Sequence, residues 1–121
     1  MKTANKNIRL FGIPNCDTVK KARKWLDARG VAYTFHDYKK AGVDEAALSN
    51  WVEEAGWEAL LNKRGTTFRA LSDADKADID AAKAIRLMVA NPSLIKRPVV
   101  AGSGVLLIGF SEADYTARFG A

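Results

Sequence analysis

The strongest constraint on this chain is a change of hydrophobic period along its length. Short apolar runs stand near the two ends, "IRLFGI" at 8–13, then "RPVVA" at 97–101 and "VLLIG" at 105–109. Between 41 and 91 the apolar residues instead recur every three or four positions, the spacing of amphipathic helices. A chain patterned this way builds a sheet from its ends and a helical block from its middle. The first run reads as a strand over Ile8–Ile13, closed by Gly12 and Pro14. Asn15 reads as the N-cap of a helix carrying Val19, Ala22, Trp25 and Leu26 on its apolar face, with Gly30 as the stop. "VAYTFHDY" (Val31–Tyr38) is β-branched and aromatic and reads as a second strand, with Tyr33 and Phe35 on one face. Strand, helix, strand implies a right-handed crossover and a parallel pair.

In the middle, the spacing predicts a helix from about Asp44 to Ala55, then short helical turns over Trp57–Asp73 broken at Gly65 and Ser72. A longer helix follows through "DADKADIDAAKAIRLMVANP", with Ile79, Ala82, Ile85, Met88 and Val89 on one side, ended by Asn91-Pro92. "RPVVA" and "VLLIG" are joined by Gly102-Ser103-Gly104, a hairpin signal, and a last helix is capped by Ser111. The order β-α-β, helical block, β-β-α is that of an α/β, thioredoxin-like mixed sheet with an inserted helical subdomain. We therefore expect one domain over 1–121, its thioredoxin-like core from 8–40 and 92–121 and its helical insertion at 41–91.

A chain of 121 residues buries roughly two-thirds of its unfolded surface, enough to fold without a disulfide or a metal. No apolar run approaches the ~20 residues of a membrane span, and "MKTANKN" lacks the apolar stretch of a secretory signal, so a cytoplasmic protein that does not engage membranes is expected. The net charge is +5, but its positives are scattered (Lys20, Lys21, Arg23 and Lys24, then Lys39 and Lys40, then Lys63, Arg64 and Arg69, then Lys96 and Arg97). No recognition helix, zinc finger or RNA-binding motif turns that charge into base readout, so no nucleic-acid partner is expected. With one cysteine and one histidine the chain builds neither an internal disulfide nor a cysteine-rich zinc site.

That cysteine, Cys16 in "IPNCDTVKKARKWL", falls where the helix should begin. Unpaired N–H groups and the helix dipole favour an anion there, and such settings bring a thiol from about 8.5 to ~7 or below. At 100° per residue Cys16 projects between the apolar arc of Val19 and Leu26 and a basic arc holding Lys20 and Lys24. A helix-edge thiol with Lys20 four residues on is a candidate nucleophile; the alternative is a small hydrophobe packed beneath the turn. His36 reads as a hydrogen-bonded surface residue beside Asp37, and Trp25, Trp51 and Trp57 as core.

Taken together, "NCDTVKKARKWL", "WEALLNKRGTTFR" and "LIKRPVV…GVLLIGFSE" resemble the ArsC/Spx family, most closely its YffB branch, over about Ile8 to Ala117. The resemblance implies a thioredoxin-like fold in which a cis-proline, here Pro98, lies against the active cysteine and meets the substrate backbone. It also implies Cys16 as nucleophile and Arg97 as a residue that holds anions. Family arsenate reductases pass their arsenate adduct to glutathione and glutaredoxin. Two arginines they carry fall here on Glu58 and near Gly109, which argues against arsenate as substrate. In the Spx branch, regulators that bind RNA polymerase, the switch is a C-x-x-C pair; here its second position is Val19. The reading that results is a glutathione-dependent thiol/disulfide reductase, with Cys16 and Arg97 catalytic and Asn15, Thr18, Lys20 and Pro98 binding substrate. Glutathione is expected as co-substrate and a thiol or disulfide protein as a second partner, with no tightly bound cofactor or metal, in a monomer. A non-catalytic, Spx-like protein-binding regulator and an arsenate reductase with altered anion contacts stay open as alternatives.

Overall fold

A computed structural model describes residues 8–102 and 104–120; Ser103, at the centre of the expected hairpin turn, lies outside them. The chain divides into two compact units, one from the described residues of Met1–Asp37 and Arg97–Ala121, the other Tyr38–Lys96. The helical unit is thus wider than the 41–91 read from the sequence.

The first unit holds a four-stranded sheet in the order β2-β1-β3-β4, with β1 at Arg9–Gly12, β2 at Thr34–Asp37, β3 at Val99–Gly102 and β4 at Val105–Ile108. β1 and β2 are parallel, joined by helix α1 (Asp17–Ala28), whereas β3 is antiparallel to both β1 and β4. This is a mixed, thioredoxin-like α/β sheet. Ile8 just before β1 and Leu10, Val100 and Leu107 from the sheet meet Val19, Ala22, Trp25 and Leu26 from α1 and Tyr115 from α8 (Glu112–Phe119) in one apolar core. The second strand is shorter than Val31–Tyr38 because only Thr34–Asp37 pairs with β1. Val31 is buried ahead of it and closes α1 by donating to the Leu26 carbonyl at 3.0 Å, past Gly30 at φ +71°.

The second unit is helical: α2 (Tyr38–Ala41), α3 (Glu45–Ala55), α4 (Trp57–Leu60), α5 (Thr66–Arg69), α6 (Asp73–Lys76), α7 (Ala81–Ala90) and a 3-10 turn at Pro92–Leu94. Asp44 caps α3, and Gly65 and Ser72 open α5 and α6 where the sequence places breaks. The long helix expected through "DADKADID" is in fact two. Asp78 adopts φ +51° and Asp80 caps α7 by accepting from the Lys83 amide at 2.9 Å, so aspartate side chains compete with helix continuation. Lys83 Nζ then donates to the carbonyls of Ala74 and Ala77 and closes the end of α6. The restart rotates the buried face onto Ala84, Leu87 and Met88; Ala82 is exposed, and Ile79, Ile85 and Val89 are half-buried. Trp25 and Trp51 are core as expected, but Trp57 is half-buried, with Lys63 Nζ 5.2 Å from its ring centre.

Candidate functional site

Cys16 is itself the N-cap of α1, in place of the expected Asn15. Its backbone is extended (φ −90°, ψ 128°), its N–H donates to the Ile13 carbonyl at 3.2 Å, and its own carbonyl accepts the first helical bond, from Lys20 N–H at 2.9 Å. The Ile13 contact folds Pro14-Asn15 into a tight turn and puts the cysteine, not the asparagine, at the half-in position. Asn15 is exposed.

The sulfur is half-buried and packs against the edge of the apolar core. Its side chain closes no cap hydrogen bond. Its ionised form is nevertheless favoured. Partial burial pushes the thiol up, but the polar pull of the Val19 amide, the Arg97 side chain and the Thr18 amide, with the charge of Arg97, outweighs it and holds Cys16 below the ordinary thiol value. These are contacts that strengthen as the sulfur gains charge.

Gly12 sets how closely the helix can approach. It is buried at the end of β1, where a Cβ would lie 2.7 Å from Cγ2 of the fully buried Val19. The residue that supplies an N–H to the sulfur is therefore seated against a position that tolerates no side chain. In the sequence Gly12 reads only as a strand terminator; a glycine four residues before a helix-start cysteine is the signal that marks it.

Arg97 is half-buried and Pro98 buried, and the peptide between them is cis. The Pro98 carbonyl accepts from Gly109 N–H at 2.8 Å, just past β4. Cys16 and Arg97 are thus brought together, with Pro98 directly after Arg97. Lys20 and Thr18 are exposed on α1; Thr18 reaches the sulfur through its backbone N–H, and Lys20 is not among the groups that lower the thiol. His36 lies on β2 with its ring centre 4.8 Å from that of Phe11. Glu58 is exposed in the first turn of α4, in the helical unit, where it lines a cleft of about 390 Å³ with Lys63, Arg64 and Lys96. Among the described residues, no group of three or more His, Cys, Asp or Glu could hold a metal ion, and no helix is long and apolar enough to cross a membrane.

A model of the ArsC family matches residues 11–118. A curated but uncharacterized protein from Haemophilus influenzae is 44% identical over 93% of this chain and 98% of its own. The global transcriptional regulator Spx of Streptococcus mutans is 30% identical over 91% of this chain and 81% of that one. Among solved structures, the YFFB protein is 55% identical with a TM-score of 0.89, covering 92% of this chain and 97% of that one. An arsenate reductase (ArsC) related protein from Brucella melitensis is 50% identical with a TM-score of 0.71, covering 93% and 94%.

Proposed function

Because the chain belongs to the ArsC family, and because its one cysteine is held toward the thiolate, we propose that it is a cytoplasmic oxidoreductase that performs glutathione-dependent thiol–disulfide exchange. The observation that carries this reading is the convergence on Cys16 of two first-turn N–H groups and Arg97. The thiolate attacks one sulfur of a disulfide, forming a Cys16 mixed disulfide as the old S–S bond breaks. The departing thiolate takes a proton from water. Glutathione thiolate then attacks the outer sulfur of the mixed disulfide and expels Cys16 as thiolate, carrying the substrate half away as a glutathione disulfide. Arg97 lowers the energy of the Cys16 thiolate both as nucleophile and as leaving group and attracts the glutathione carboxylates, with Lys20 as an exposed cation nearby in sequence. Pro98 offers a backbone shelf, and Asn15 and Thr18 supply polar contacts at the turn.

The test is mass spectrometry after incubation with oxidised glutathione. One glutathione adduct on the native protein, absent from Cys16→Ser, supports the reading; no adduct on the folded native protein removes it. Arsenate with glutathione and glutaredoxin should give no turnover, since by the resemblance Glu58 and a position near Gly109 fall where the reductases carry arginines. A second reading, a non-catalytic regulator that binds a protein partner, is favoured by the likeness to Spx. It predicts a Cys16 alkylation midpoint no lower than that of a free thiol.

A further inference from the structure

We infer that Tyr115, a core residue of α8 to which no substrate contact is assigned above, is a positioning residue for the Cys16 thiolate, acting through Gly109 and Pro98 on Arg97. This rests on the thiol-exchange reading only in the use it gives the thiolate.

Tyr115 is 1% exposed in α8, and its hydroxyl donates to the Gly109 carbonyl at 3.0 Å. The N–H of the same glycine donates to the Pro98 carbonyl at 2.8 Å. Gly109 has φ +80°, a conformation that glycine adopts without a steric penalty, so it can turn both of its polar groups to these partners. Pro98 directly follows Arg97, whose side chain and charge lower the Cys16 thiol. Two hydrogen bonds and one step along the chain thus lead from a phenol in α8 to the arginine that favours the thiolate at the start of α1.

The phenol has little freedom. Its ring meets Trp25 edge-on at 5.5 Å and Phe110 at 4.8 Å between centres. Burial pushes its ionisation far above the ordinary tyrosine range, so the hydroxyl remains a donor at every working pH. A phenylalanine would fill the same aromatic space without bringing a hydroxyl that must be satisfied. The hydroxyl therefore does something packing does not require: it holds the Gly109 carbonyl, and through the Gly109 N–H the Pro98 carbonyl one residue past Arg97. The groups around the sulfur that answer to this are Arg97 and the amides of Val19 and Thr18; on its own element, Asp17 and Lys20 are exposed.

The experiment measures iodoacetamide alkylation of Cys16 against pH in native protein, Tyr115→Phe, Arg97→Ala and the double variant. In Tyr115→Phe the midpoint should move up, with the rate at pH 6.5 falling about three- to ten-fold. Arg97→Ala should fall at least as far, and the double variant no further than Arg97→Ala alone, because both act through one group. Site-specific p-aminophenylalanine at 115, which restores a donor on the same ring, should return the native midpoint and keeps the test alive if Tyr115→Phe folds poorly. An unchanged midpoint in folded Tyr115→Phe, or a Tyr115→Phe effect that persists in full without Arg97, overturns the inference. Neither result depends on glutathione, so failure here is distinct from absence of the glutathione adduct, which would remove the exchange reading.

Discussion

Gly12→Ala makes the sharpest test of how the site is assembled. The added methyl would stand 2.7 Å from Cγ2 of Val19, 3.4 Å from Cγ1 and 3.6 Å from Cβ. Reaching ordinary contact requires Val19 to retreat by roughly 0.7 Å. Val19 has no easy way to comply, because it is fully buried and a β-branched side chain in a helix keeps essentially one rotamer. The backbone of the first turn of α1 moves instead, taking the Val19 N–H away from the sulfur. Overpacking of this kind costs about 1–3 kcal/mol of stability. A hydrogen bond to a charged group contributes about 1.5–3 kcal/mol, and a half-exposed sulfur that loses part of one stands at the low end. Alkylation of Cys16 at pH 6.5 should accordingly slow about three- to ten-fold, with the pH midpoint shifted up and the plateau rate at pH 10 within about two-fold of native. Val19→Ala added to Gly12→Ala removes the clashing methyls and should restore the midpoint while costing further stability. A folded Gly12→Ala protein with the native midpoint would refute the claim that this close approach sets the thiol's acidity.

Two further outcomes follow from the same physics. Because folding lowers the pKa of Cys16, the thiolate's contribution to stability is full above the unfolded thiol's value near 8.5 and disappears as pH falls through the lower, folded one; the melting-temperature gap between native protein and Cys16→Ser should therefore widen in the native protein's favour from pH 5 to pH 9, and a gap that narrows would contradict it. Asp80→Ala should cost about 1 kcal/mol in urea unfolding, since it removes the acceptor for the Lys83 amide at the start of α7.

The strands and their succession along the chain were legible because apolar runs bounded by glycine and proline have few other uses, and the Ser111 cap was legible because its side chain accepts from the Asp114 amide as such caps do. The helical middle was less so. In "DADKADIDAAKAI" the apolar positions fit one continuous helix, but every aspartate can also act as a cap, and period alone does not say which will. The left-handed Asp78 and the Lys83 contacts with α6 decide it, and both arise from folded geometry. Asn15 misled for a related reason. It is the better capping residue by type, yet the Cys16 N–H bond to Ile13 consumes the turn before the helix starts.

The cation at the sulfur shows where helical spacing stops being informative. Four residues along α1, Lys20 is the neighbour that sequence proximity selects, but a side chain there leaves the helix into solvent. Arg97 arrives by a long-range route. β1 runs from Arg9 to Gly12 and β3 runs against it, with Phe11 opposite Val99 and Leu10 opposite Val100. Continuing that register carries the residues before Val99 past the carboxyl end of β1, the end from which the chain turns into α1 and Cys16. An arginine and a proline written just before a strand some eighty residues downstream are thereby delivered to the helix start by antiparallel pairing alone. The thiolate thus draws on two origins that respond to different perturbations: the amides come with the helix and depend on Gly12, whereas the guanidinium comes with the sheet and depends on Pro98, Gly109 and the phenol that holds them. Gly12→Ala and Tyr115→Phe should therefore shift the alkylation midpoint additively, and a double variant no worse than either single one would mean that a single shared contact governs the sulfur.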